Sequence, residues 1–164
     1  MARWIEPLAA ALTAAEAFRG CALRAARRDD EAFLFALHRA AMREYVDAVW
    51  GWDERWQRNH FAATYAPRHH AVIVRVEPEP QDIGRISLTR HWRKLFLRDI
   101  ELVAAERSHG IGTAMLRALL ALARAEGRAL ELLVLKHNPA QRLYARVGFR
   151  IVADDGARFT MRAP

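Results

Sequence analysis

The spacing of apolar residues changes period several times along the chain, and each change marks an element. From Cys21, "CALRAARRDD" predicts a short strand ending at Asp29 and Asp30, two residues able to cap a helix. Leu34, Leu37, Ala41, Tyr45 and Ala48 follow at helical spacing and form one apolar face. Gly51 can close that helix, and Asp53 can open a second one carrying Trp56, His60, Phe61 and Thr64 before Pro67 ends it. The period then drops to two. Val72, Val74 and Val76 alternate in "HAVIVRVEPEP", with Pro78 and Pro80 marking a loop. "DIGRISLTRHW" and "KLFLRDIELVA" predict two more strands, and three strands with short links predict an antiparallel meander.

The chain next runs through "VAAERSHGIGTAML" into a helix whose buried stripe is Ile111, Met115, Ala118, Leu119 and Leu122, with Gly127 as its stop. "ALELLVLK" is a strand reached through a helix, hence parallel to the strand before it. "HNPAQRLYARVGFR" predicts a helix capped by Asn138, with Pro139 at its first position and Gly148 just past its end. "FRIVAD" and "ARFTMRA" pair around Asp155 and Gly156. Residues 1–20 are alanine-rich but interrupted by Glu6, Pro7 and Glu16, which suits a short helix or a frayed extension better than a secretion signal.

Composition narrows the class without choosing the function. With 164 residues the chain makes one ordinary α/β domain, residues 21–164, behind that extension. No apolar run approaches the roughly 18 residues of a membrane span, so a soluble protein is expected. The net charge of +7 would attract polyphosphates. Only Lys94 and Lys136 of the 26 basic residues are lysine, the arginines are scattered, and no aromatics interleave with them. The charge therefore suits a small polyanion better than a nucleic acid. Cys21 is the only cysteine, which excludes a disulfide framework and fits a reducing cytoplasm. His69 and His70 lack the partners of a metal site, and no metal is expected.

Two glycines between a strand and a helix leave the first-turn N–H groups open to an anion. No lysine follows them, against a Walker A loop, and Met115 stands where a dinucleotide fingerprint needs a third glycine. "RSHGIG", Arg107 to Gly112, instead fits [RQ]-x-x-G-x-[GA], and the strand "LELLVLK", Asn138, Tyr144 and "VGF" follow in order. In both stretches the chain resembles the GCN5-related N-acetyltransferases, from about residue 21 to 162.

That resemblance implies the single-domain acyl-coenzyme A N-acyltransferase fold. Its mixed, mainly antiparallel twisted sheet has six to seven strands with about four helices, and is splayed between the fourth and fifth strands. It implies acetyl-coenzyme A as cosubstrate and a primary amine of a small molecule or protein as acceptor, attacked without an acyl-enzyme. The diphosphate would lie on the backbone of Ser108, His109, Gly110, Ile111, Gly112 and Thr113, with Arg107 adding charge and Arg142 or Arg146 near the 3'-phosphate. A bulge near Val103 would turn the backbones of Leu102 and Val103 toward the pantetheine arm and the thioester. Asn138 would touch pantetheine or only cap its helix, since five residues rather than six separate it from Tyr144. Tyr144 would protonate the departing thiolate. Glu101, with Asp99 on the same strand face or a water chain as alternatives, would take the amine's proton. The acceptor wall would come from Tyr45, Trp50, Trp52 and Asp53, which also read as core, helix stop and cap. The resemblance admits a homodimer. The same pocket would serve a noncatalytic coenzyme A sensor, and the charge alone would serve a nucleic-acid-binding module.

Overall fold

In the computed structural model, which describes residues 3–164, alternation and helical period produce the expected elements. Strands β1 (Cys21–Ala25), β2 (His70–Arg75), β3 (Gln81–Arg90) and β4 (Lys94–Leu102) pair antiparallel in chain order. β5 (Ala129–Leu135) lies parallel to β4, as a helical crossover requires. β7 (Arg158–Ala163) pairs antiparallel with β5, and β6 (Arg150–Asp154) forms the far edge of this seven-stranded sheet.

One face of the sheet carries the larger core. Helix α4 (Ile111–Ala125) buries Ile111, Met115, Leu116, Ala118, Leu119, Leu120 and Ala123 there, against Ile86, Leu88, Leu95, Leu97, Leu130 and Leu132. A further helix, α1 (Ile5–Leu12), packs beside α4 through Trp4, Ile5, Leu8 and Leu12, spaced about one turn apart. The N-terminal extension thus contributes apolar surface to the main core. The opposite face takes α2 (Glu31–Trp50) and α3 (Glu54–Thr64) over a small cluster of Ala26, Leu34 and Val72, edged by Phe33, Phe61, Tyr65 and Val74. Asp53 caps α3, its carboxylate accepting from the N–H of Trp56 at 2.9 Å. Helix α5 (Ala140–Val147) packs on α4 and ends at Gly148, whose φ of 106° suits glycine. Among the described residues, no helix is long and apolar enough to cross a membrane.

One irregularity decides which side chains face which helices. The β3–β4 register shifts so that Ser87 opposes Asp99 while Leu88 opposes Leu97, leaving Arg98 as an extra residue. One inserted residue flips the strand's alternation. Leu95 and Leu97 therefore point toward α4, as do Ile100 and Leu102 after the bulge, and Asp99 and Glu101 are turned to the α2 face. The bulge expected near Val103 lies five residues earlier. Gly84, opposite Leu102 at the far end of β4, is required there, because a Cβ would stand 2.6 Å from the carbonyl oxygen of Glu101.

Leu8 tests whether α1 is part of the core. Its side chain is fully buried, so Leu8→Ala should lower unfolding free energy by about 2–5 kcal/mol in urea denaturation. An unchanged urea midpoint would mean that α1 contributes nothing to the core.

Candidate functional site

β4 and β5 pair only from Lys94/Ala129 to Leu97/Leu132, although β4 continues to Leu102 and β5 to Leu135. Past that point the two strands diverge and leave a gap in mid-sheet. Val103 donates its N–H to Ile83 O at 2.8 Å, which points it toward β3. By strand alternation the N–H groups of Leu102 and Ile100 point the other way, into the gap. Leu102, rather than Val103, thus offers a free amide there. Its carbonyl accepts from Arg107 Nε at 2.9 Å, and Gln141 Nε2 donates to the carbonyls of Leu135 and Lys136 on the β5 side.

The loop from β4 to α4 is pinned at both ends and open in the middle. Glu106 pairs with Arg75 of β2, and Arg107 with Leu102, which leaves the terminal nitrogens of Arg107 free of any protein partner among the described residues. Ser108 and Gly110 both have positive φ, 65° and 85°, and among the described residues no side chain caps α4. The first-turn amides of Ile111, Gly112 and Thr113 therefore remain open, with the helix dipole behind them. Ile111 keeps its side chain in the core, so only its backbone is offered, and His109 is exposed. A Cβ on Gly112 would meet Leu143 at 3.4 Å, ordinary contact, so packing alone does not demand glycine there.

On α5, Tyr144 is buried with its ring tilted against Phe149, centroids 5.9 Å apart. Its phenol is pushed well above the ordinary 10, by burial first and then by the negative charges of Asp99 and Glu101. The tyrosine and the two carboxylates thus share one electrostatic neighbourhood. Asn138 caps α5, its Oδ1 accepting from the N–H of Ala140 at 2.9 Å, and its amide nitrogen lies 3.9 Å from Met42 Sδ. Arg142 and Arg146 are exposed on α5.

The α2 face carries a polar cluster that sequence reasoning found only in part. Register aligns His70, Ser87 and Asp99 across β2, β3 and β4, and beside them Val72, Arg85 and Glu101. Arg85 is 1% exposed and donates from Nε to Glu101 at 2.6 Å, with its Nη2 3.1 Å from Asp99. His38 of α2 meets Glu101 through Nδ1 at 2.9 Å. Burial would raise the Glu101 carboxyl, but the Arg85 charge and the His38 and Arg85 bonds prevail and hold it at about 2. Asp99 is pushed up by burial, a rise that its 24% side-chain exposure limits. His38, Asp99 and Glu101 offer three ligand atoms within 4.8 Å of one another, but Arg85 already bonds both carboxylates and a cation would have to displace it. The cluster is an ion-pair network.

The residues expected in the acceptor wall separate. Trp52 is half-buried, its ring 6.2 Å from His38 and its Nε1 donating to Glu54 at 2.8 Å. Tyr45 is half-buried on α2, and Asp53 is spent as a helix cap. Trp50 is 58% exposed and lies under Arg158 of β7. His38, Arg85 and His70 were not singled out as site residues. The available signal was an arginine between two isoleucines in "DIGRISL", a charge at an inward strand position that needs a buried partner.

A model of the acetyltransferase (GNAT) family matches residues 32–149. No curated protein matches the chain. Among solved structures, the fold is similar to the PaiA N-acetyltransferase of Thermoplasma acidophilum in complex with coenzyme A, with a TM-score of 0.67 and 17% identity over 87% of this chain and 97% of that one. It is also similar to Ard1 of Thermoplasma volcanium, with a TM-score of 0.62 and 18% identity over 88% and 97% of the two chains. Arabidopsis thaliana Naa50 in complex with the bisubstrate analogue CoA-Ac-MVNAL gives 0.57 and 14% over 88% and 99%.

The buried cluster sets a pH dependence. Burial holds the imidazole of His70 neutral, at about 3 against an ordinary 6.5, so the unfolded chain takes up the proton first as pH falls. Glu101, at about 2 against 4.5, binds its proton later in the folded state and adds a second loss below 4.5. Stability should therefore fall steadily as pH drops from 6.5, and His70→Leu should flatten the part between 6.5 and 4.5 and reduce, without abolishing, the fall below 4.5 to which Glu101 still contributes. Urea midpoints across that range check it; an equal slope in the variant would contradict it.

Proposed function

The chain belongs to the acetyltransferase (GNAT) family, and from that premise we propose that it transfers the acetyl group of acetyl-coenzyme A to a primary amine of a small molecule or a protein, by direct attack. What carries this reading is the combination of a mid-sheet gap edged by free strand amides with an uncapped helix N-terminus at its mouth. The diphosphate is held by the amides from Ser108 to Thr113, with charge from Arg107 and glycine at 110 and 112 leaving the approach clear. The N–H of Leu102 pairs with the pantetheine arm, and Ile100, on the same strand edge, polarises the thioester carbonyl. Asn138 keeps its amide nitrogen for pantetheine, since its oxygen is used as the cap.

The amine lone pair forms the C–N bond and the C–S pair leaves on sulfur. Tyr144 donates a hydrogen bond to that sulfur. Because burial and two carboxylates hold the phenol proton tightly, this bond stabilises the thiolate more than outright ionisation of the tyrosine would. Glu101, at about 2, is too weak a base to take the amine's proton and acts as an anion within its ion-pair network. The scattered arginines and lone cysteine support a cytoplasmic enzyme with a small polyanionic cosubstrate.

The test is thiol release from acetyl-coenzyme A with a panel of primary amines. Release with at least one amine is expected; coenzyme A binding without release would favour the sensor, and tighter binding of duplex DNA than of coenzyme A would overturn both. Tyr144→Phe should lower kcat roughly 10²-fold with little change in coenzyme A affinity. An unchanged kcat would remove Tyr144 from the chemistry.

A further inference from the structure

Between α3 and the sheet lies a second cavity, of about 140 Å³. Its floor includes His70, Arg85, Arg98 and Asp99, α3 supplies His60 and Phe61 with Tyr65 just past its end, and His38 of α2 also lines it. Arg98 and Asp99 are also the first β4 residues past the last pair with β5, where the gap begins. His70 Nδ1 in this row is a buried polar atom without a partner among the described residues.

His38 is held at Nδ1 there, 2.9 Å from Glu101 Oε1 and 3.2 Å from Arg85 Nη2. A carboxylate oxygen can only accept, so Nδ1 carries the hydrogen, and the Arg85 contact is then one of proximity. In the neutral imidazole this tautomer has its lone pair on Nε2. The rings of Trp52 and Phe61 flank the imidazole, with centroids 6.2 and 6.0 Å away.

We propose that the acceptor amine enters this cavity and gives its proton to Nε2 of His38, with Glu101 as the positioning residue that fixes the imidazole tautomer. The proposal rests on the acetyl-transfer reading and extends it. As the C–N bond forms and the C–S pair leaves on sulfur, the nitrogen's proton passes to Nε2 and makes an imidazolium beside the Glu101 carboxylate. Asp99 adds to that stabilisation, while Arg85 and Arg98 oppose it. His70 is held neutral too firmly to compete as a base, Tyr65 faces the cavity as a phenol raised to about 12, and His60 is exposed and stacked on Trp56. The His38 side chain is 20% exposed, which gives the proton a way out to water.

The test uses the full chain, acetyl-coenzyme A, and spermidine, tyramine and a tetrapeptide with a free N-terminus as probes. If the wild type releases no thiol with any of them, acetyl transfer to simple amines fails, and the proposal with it. If it does, His38→Ala should lower kcat by roughly 10²-fold or more at unchanged coenzyme A affinity, and added imidazole should restore about tenfold. A variant kcat within about threefold of wild type, or a loss that imidazole leaves untouched, overturns the role of His38 while acetyl transfer stands. Side-chain ¹⁵N spectra provide a readout that needs no acceptor. The wild type should show His38 Nε2 without a hydrogen, and Glu101→Gln, whose amide can donate to Nδ1, should shift the hydrogen to Nε2. A hydrogen on Nε2 in the wild type overturns the proposal.

Discussion

Two adjacent parallel strands that stop pairing in the middle of a sheet leave backbone groups that something else must satisfy. Here the pairing of β4 with β5 ends at Leu97 and Leu132, and much of the surrounding structure answers that problem. Arg107 and Gln141 take up carbonyls on the two sides of the gap. The amides on the β4 side point into the gap without a partner among the described residues, which is the condition for an extended ligand arm to complete the strand edge.

What keeps β4 on β3 as it leaves β5 is a second constraint, on the α2 face. Arg85 of β3 holds both Asp99 and Glu101 of β4, and the bulge at Arg98 turns both carboxylates toward it. A buried ion network of this kind adds little net stability, because desolvation offsets most of the attraction. Its contribution is specificity: the guanidinium is satisfied only when β4 sits in this register, and Gly84 leaves room for the close crossing. The apolar face, with α1 and α4, supplies the burial that this polar face forgoes. The two faces therefore divide the work, one holding the sheet together and the other presenting charge to the gap.

Much of this was legible in the residues. Helix α4, strand β5 and helix α5 follow from period, glycine stops and the Asn138 cap, and "RSHGIG" does lie at an uncapped helix N-terminus. The bulge shows in the sequence only as a change of phase in "LFLRDIEL", from Leu95 and Leu97 to Ile100 and Leu102 across two adjacent polar residues, and pairing with β3 is what identifies Arg98 as the extra one. Glu101 could be recognised as a strand carboxylate, but its partners lie 16 and 63 residues away and no local pattern announces them. Trp50 read as an acceptor wall because it sits among aromatics, yet its ring ends at the surface under Arg158, a contact set by the distant β7.

Coenzyme A should occupy the gap and the α4 N-terminus together. Backbone amide spectra of the ¹⁵N-labelled chain, recorded as coenzyme A is added, test that most directly. The amides of Ile100 and Leu102 and those from Gly110 to Thr113 should shift in concert with one saturation curve. Saturable coenzyme A binding that moves only the loop amides, or leaves both sets unmoved, would contradict it.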